Sequence, residues 1–548
     1  MKPIEVMGVE NAGMLGRVLH WLDGFAETLR DVCERHRFLL LGVLSIVYFA
    51  ATSVLAMRKP MWNDELFTYF IAQAPTLSGI WTALLTGADQ SPFPFYVLTR
   101  WSMSLFGVNE WALRLPEMVG VWAAGLCVFH LVAARNAAMH GFSAMTFLFI
   151  TGANFYSIEA RPYGLVLAFA SASWLCWQAA TDGRIHRRLL LLGLFGSLVA
   201  AVSSHYYAVL VFIPLGIGEF VRSCDRRRID WPVWLAMVGA LLPPLMFLPL
   251  IERARTYATG FWALPSWKAI PDAYSVLLMP APLMLMLVLI FAGVVVLLQQ
   301  GRSERYGSRD LPPVTGYELA VAVTYVGFPI IAVGVAMVVT GAFVPRYALP
   351  TVLGVSVLVA LTSARLLGGR ALLGAIVLVL SCGGFGLLWA RSYANTTDGA
   401  LGPMHAIVRS VPEVELPVVV ADPHNFMMLS HYAPQDLRSR YVYLADPRQS
   451  LRYLGHNTMD RGILDLRPWF RMNIHELDGY LRIQSRFLLY VHGGYLGGPW
   501  VNGQIGPSLN WIVSDLTESG WHLELKVRRD NQLLFLVTRP ERANTARM

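Results

Sequence analysis

The chain has 548 residues, of which 55% are hydrophobic and only 15% charged, where a soluble globular chain carries about 25% charged residues; its mean hydropathy is +0.48. That composition excludes an ordinary soluble protein and sets most of the chain in lipid. The formal charge of +8 is no nucleic-acid footprint, because Lys and Arg crowd into short loops between apolar runs, which is how membrane topology is encoded.

Residues 1–37 are polar and mixed in charge, and the apolar run from Phe38 lacks a small-residue cleavage site, so no cleavable signal peptide is expected. Within them, 14–37 suits either an amphipathic helix on the cytoplasmic membrane face or a plain solvated helix. The first span is expected at 38–57. A long loop, 58–115, follows and reads as short interfacial helices, WNDELFTYFIAQA and SGIWTALLTG, broken by the proline-bearing turn DQSPFPFY. Ten further apolar runs, at 116–134, 141–157, 163–180, 189–203, 206–221, 231–251, 281–299, 319–341, 347–366 and 371–390, bring the count to about eleven spans. The basic loops RIHRR (184–188), RSCDRRR (222–228), GRSERYGSR (301–309) and ARLLGGR (364–370) belong in the cytoplasm. That places 58–115, 154–162, 204–206, 252–280 and 343–346 together on the outer face, with the N-terminus inside.

From residue 393 to 548 the composition changes. Short β-rich runs at 417–421, 486–491 and 533–537 alternate with helix-like segments such as PRQSLRYLG, which predicts a small α/β domain on the outer side. The five cysteines form no CxxC pair and no metal spacing, and this last third contains none, so a disulfide framework is excluded there.

The polar residues of the outer face recur beside spans. Asp64 and Glu65 in RKPMWNDE suit the start of a helix, where acids meet the positive end of the dipole, and the same pair could act as a base. Asp89, in DQSPFPFY, is a common turn residue. Glu159 and Arg161, in NFYSIEARPYG, are costly at a span's end unless paired or facing a wet cavity. His205, in SSHYYAVL, suits a hydrogen-bonded structural role as well as a ligand or base. Arg346 and Tyr347, in AFVPRYALP, put a cation where it can snorkel or hold a phosphate; Arg253 and Arg255 repeat that signal more weakly. Together these residues suit a cleft open to the outer face and to lipid. The Gly-rich stretch HGGYLGGPWVNGQIG (492–506) matches neither GxxxxGK[ST] nor GxGxxG, and the chain has no GxSxG elbow and no zinc motif. No cofactor is expected, and no motif supports a divalent metal.

Taken in order, WNDE, DQSPFPFY, EARPYGL, HYYAVL and PRYALP resemble the motifs of polytopic GT-C-fold glycosyltransferases that use polyprenyl-phosphate sugars, the protein O-mannosyltransferases and bacterial lipid A aminoarabinose transferases among them. The resemblance covers residues 38–390. It implies an acid of the first outer loop as catalytic base, carried here onto Asp64 with Glu65 beside it. It also places Asp89, Glu159, Arg161, His205 and Tyr347 in the substrate cavity, with Arg346 as a lipid-phosphate ligand. SPFP stands where related chains show HPP or KPP, so the turn at Asp89 departs from the family pattern. The implied enzyme sits in a bacterial inner membrane and moves a sugar from a polyprenyl-phosphate donor to an acceptor that the sequence does not identify, by inverting single displacement at the periplasmic face. A lipid-linked glycan transporter or flippase, and a polysaccharide ligase, are the competing readings.

Overall fold

The computed structural model describes residues 6–183, 186–299, 314–366, 371–396, 401–492 and 511–539. Seven helices among them are long and apolar enough to cross a membrane: Arg37–Arg58, Glu110–Ala133, Tyr163–Thr181, Arg187–Ser204, Tyr206–Asp225, Trp231–Arg255 and Ala371–Asn395. Two bent pairs, Ala269–Leu278 with Ala281–Val294 (78°) and Gly316–Val326 with Phe328–Thr340 (57°), bring the candidates to nine if each pair is one span, fewer than the eleven expected; the runs expected at 141–157 and 347–366 form the shorter apolar helices Ala138–Phe149 and Thr351–Arg365. The breaks fall at Pro280 and at Gly327–Pro329, where a missing N–H and a flexible backbone end a helix.

The second span starts at Glu110 rather than 116. Asn109 caps it by accepting the Ala112 N–H at 2.8 Å, and Pro116 lies inside the helix. The proline's lost N–H would leave the Ala112 carbonyl without its helical donor; the Ser102 hydroxyl takes that place at 2.6 Å. The proline therefore does not mark a boundary. The N-terminal helix, Val6–Arg35, begins before the predicted start at 14 and packs against Ala371–Asn395 and Ala138–Phe149. Ala26 and Cys33 are buried while Trp21 and Phe25 stay exposed, so one face docks on the bundle and the other carries aromatics outward.

Beyond the spans lies a six-stranded sheet: β1 (Val418–Val420), β2 (Tyr441–Ala445), β3 (Asn473–Glu476), β4 (Arg486–His492), β5 (His522–Arg529) and β6 (Gln532–Thr538). Its order is β3-β2-β1-β4-β6-β5, parallel from β3 through β4 and antiparallel from there to the β5 edge. The three strands expected from sequence are the apolar β1, β4 and β6. β3 and β5 lie at the edges and carry mostly exposed polar residues, so no apolar run announced them.

One hydrophobic core fills the span bundle. A second joins the helices of the first loop to the sheet domain through Leu66, Phe67, Phe70, Ile71 and Phe470. The Phe470 ring lies 5.2 Å from Phe67 and 5.4 Å from Phe70. The Tyr432 hydroxyl accepts the Met61 N–H at 2.8 Å and donates to Glu110 at 2.9 Å. The sheet domain thus grips the helix Asn63–Ala72, which carries the two adjacent acids.

Candidate active site

Helix Asn63–Ala72 starts after an extended Trp62, whose N–H is accepted by Glu65 at 3.3 Å. Successive residues on a helix point about 100° apart, so Asp64 and Glu65 face different directions. Glu65 turns inward. Arg114 Nε and Nη2 donate to its two oxygens at 2.7 Å each, the Ala160 N–H donates at 2.8 Å, and both ionic side chains are fully buried. Burial alone would raise the Glu65 pKa, but Arg114, Lys59 and the Ala160 N–H together hold it below the usual carboxylate range. Arg114 also donates to the carbonyls of Ala56 and Lys59 at 2.6 Å and of Pro60 at 3.2 Å. Every direction of its planar fork is used. This pair staples the end of the first span to the acid-bearing helix.

Asp64 turns the other way. Its Oδ2 accepts Arg346 Nη2 at 3.0 Å and its Oδ1 accepts Asn63 Nδ2 at 3.0 Å, and the Asp64–Arg346 pair keeps partial exposure, 21% and 16% of the side chains. The Arg346 guanidinium lies 5.8 Å from the Trp62 ring centre and 5.7 Å from that of Tyr163. Burial opposes its charge; Tyr163 and Asp64 outweigh burial and keep it protonated.

Asp89 and Arg161 form a buried bidentate pair, at 2.7 and 3.1 Å, and Arg161 Nη1 reaches the Asp64 carbonyl at 3.4 Å. The proline turn and the EARPYG segment therefore close on each other immediately behind Asp64. Glu159 differs from every other acid of the group: it is fully buried and neither oxygen has a hydrogen-bond partner. Burial pushes its pKa up to about 7, against the pull of Lys59 and Arg346. The Lys59 ammonium, likewise without a hydrogen-bond partner, lies 4.7 Å from the Phe155 ring centre.

A cavity of about 220 Å³ opens beside these groups, lined by Arg161, Tyr163, His205, Tyr207 and Tyr347 and by aliphatic residues of three further helices; Arg255 is also on its wall. His205 Nδ1 accepts the Tyr207 N–H at 3.2 Å, which places its proton on Nε2. Burial, with Arg161 and Arg346, lowers its pKa to about 3, so the ring is neutral. Tyr347 stacks on Tyr207 at 4.5 Å and lies 5.1 Å from His205.

The fold thus brings Asp64, Asp89, Arg161, His205, Arg346 and Tyr347 to one place, with Glu159 buried behind them and Glu65 turned away into its Arg114 clamp. Arg114, Lys59, Tyr163 and Tyr207 were missed by sequence reasoning. Arg114 carried a usable signal, a charge just inside an apolar helix; the tyrosines carried none beyond their place in EARPYGL and HYYAVL. Residues 493–506 of the Gly-rich stretch lie outside the described residues. Among the described residues, no three His, Cys, Asp or Glu side chains are grouped to hold a metal ion.

Seven to nine candidate spans among the described residues, loop helices bearing the polar cluster and a sheet packed over them make this a polytopic membrane protein with a GT-C-like fold. No protein-family model and no curated protein matches the sequence. The solved structures it matches include ArnT from Cupriavidus metallidurans in the apo state, at a TM-score of 0.53 and 12% identity over 92% of this chain and 98% of that one. The same protein bound to undecaprenyl phosphate matches at 0.52 and 12%, over 91% and 97%. At that identity the likeness is one of fold.

Proposed function

We propose that the protein is an integral membrane glycosyltransferase that moves a sugar from a polyprenyl-phosphate donor to an acceptor hydroxyl. The observation that carries this reading is the Asp64–Arg346 bridge of 3.0 Å, which sets a base and a cation side by side, the cation 5.7 Å from the ring centre of Tyr163 on the cavity wall. The donor's polyprenyl chain lies along the aliphatic wall of that cavity and its phosphate competes with Asp64 for Arg346. The acceptor oxygen attacks the anomeric carbon, its proton passes to Asp64, and the bond from that carbon to the phosphate oxygen breaks. Polyprenyl monophosphate leaves, the anomeric configuration inverts, and Arg346 takes up the charge that gathers on the departing oxygen. Arg161, fixed by Asp89, supplies a second positive edge. Neutral His205 donates from Nε2, and Glu65 positions the helix rather than reacting. The sheet domain stabilises helix Asn63–Ala72 and guides the acceptor. In a bacterial inner membrane with the four basic loops in the cytoplasm, this reaction takes place on the periplasmic side.

That fold recurs in ArnT, which has been crystallised with undecaprenyl phosphate, and this supports a polyprenyl-phosphate donor here. The test is D64N in lipid nanodiscs supplied with a panel of polyprenyl-phosphate sugars. Loss of about 10²–10⁴-fold in turnover is expected from removing a general base, with donor binding retained. Undiminished transfer removes the base assignment, and donor binding without transfer by the unaltered protein favours the flippase.

A further inference from the structure

At the other end of the span Arg187–Ser204, 18 residues and thus about 27 Å from the His205 turn, lies a second cluster that the transfer reaction does not use. Arg187, Arg222, Arg226 and Arg228 line a hollow of about 390 Å³ with Asp230 and Trp231. Asp230 receives Arg187 Nη2 at 2.6 Å on each oxygen and Arg222 Nη2 at 3.0 Å. Arg222 also donates to Glu219 at 2.8 Å, and Glu219 spends its other oxygen on the Trp177 indole at 2.9 Å. One carboxylate therefore fixes two arginines at the wall, while Arg226 comes no nearer to Asp230 than 3.9 Å. Asp230 is the one acid on the lining, and even with Glu219 behind Arg222 the four guanidinium groups keep a surplus of positive charge.

Topology requires only that basic residues lie on that side; it does not require an acid to gather them around a cavity. The second observation is the surface next to it. Leu189 and Leu192, Phe220, and Trp231 and Leu235 are large, apolar and exposed, and they stand on the three helices that form the hollow, within about two turns of its arginines. A cationic seat whose own helices offer apolar surface beside it fits a molecule with a phosphodiester head and acyl chains, the chemistry of basic pockets between membrane helices. We infer that this hollow is a binding site for the headgroup of an anionic phospholipid, separate from the donor cavity and on the opposite side of the membrane.

Native mass spectrometry of the full chain, delipidated and titrated with phosphatidylglycerol, phosphatidylcholine or inorganic phosphate, tests the site. Phosphatidylglycerol is expected to bind in preference to phosphatidylcholine, about tenfold more weakly to R226A/R228A and nearly normally to R226K/R228K. These two arginines are chosen because neither holds Asp230 closely, so folding is preserved. Equal binding of the neutral lipid, or phosphatidylglycerol binding that ignores the double alanine change, overturns the inference. Binding of inorganic phosphate that depends on the same arginines while the lipid fails to bind assigns the hollow to a soluble anion and overturns it too.

Discussion

Replacing Arg114 by Met separates the two adjacent acids by experiment. The guanidinium and Glu65 are both fully buried, and the change removes two charged hydrogen bonds to the carboxylate and three to the carbonyls of Ala56, Lys59 and Pro60. Breaking one side of a buried ion pair costs about 3–5 kcal/mol, because the remaining charge is stranded, whereas removing both sides is much cheaper. R114M should therefore be strongly destabilised, and E65Q/R114M should recover a large part of the loss, a coupling of about 1–3 kcal/mol. The pH dependence has a definite sign. Glu65 has a folded pKa below its ordinary 4.5, so its stabilising share is present above that value and fades on acidification; the gap between the unaltered protein and R114M should narrow below pH 4.5. Unfolding followed by tryptophan fluorescence in nanodiscs at pH 7 and pH 4, on both single changes and the double, gives the cycle. Additive costs, or an R114M midpoint equal to the unaltered one, would refute the staple.

Glu159 should behave in the opposite sense. Its folded pKa of about 7 exceeds the ordinary 4.5, so the folded state binds the extra proton and stability falls as pH rises from 4.5 to 7, the penalty being complete above 7. E159Q should flatten that slope and raise the unfolding midpoint at pH 8; an unchanged slope contradicts the assignment. His205, held neutral with a pKa near 3, should contribute no limb near pH 6.5 to the activity profile, and H205Q, which keeps a donor, should retain more turnover than H205A. Y347A loses the Tyr207 stack, worth about 0.5–1.5 kcal/mol, and should raise the donor KM more than Y347F does. F470A opens the seam between the sheet domain and the acid-bearing helix. It should cost about 3–5 kcal/mol as a large-to-small core change and lower transfer, although Phe470 lies outside the donor cavity.

Most spans were legible as apolar runs of membrane length, whereas Ala138–Phe149 and Thr351–Arg365 fall short of it. Boundaries were less so. Pro116 suggested a helix start because the donor that compensates it, Ser102, comes from a different helix. Of the site, sequence order and sidedness placed Asp64, Asp89, Arg161, His205 and Arg346 on one face, but nothing local announced that Arg346 would meet Asp64 at a separation of 282 positions, or that Arg161 would choose Asp89 rather than Glu159. The divergence of Asp64 and Glu65 was legible in principle, since neighbours on a helix face different directions; which of the two turned inward depended on Arg114, a contact between the loop and the second span.

The resting geometry also bears on how a base can work while tied to a cation. Each oxygen of Asp64 already accepts one hydrogen bond, one from Arg346 and one from Asn63, so an acceptor hydroxyl arriving alone has to share the carboxylate with the arginine. A phosphate presents more acceptor oxygens than one carboxylate oxygen and suits the planar guanidinium fork in a bidentate manner. Donor binding at Arg346 would therefore draw the arginine from Asp64 and release the base in the same movement. In the proposed reaction this couples activation to occupancy: the base is freed of its arginine as the leaving group is held. Arg346 then has to be mobile enough to change partners, which fits its position in the short turn Pro345–Ala348 before the span Thr351–Arg365. Glu65, whose task is to keep the helix in place, is instead clamped by an arginine rooted inside the helix Glu110–Ala133.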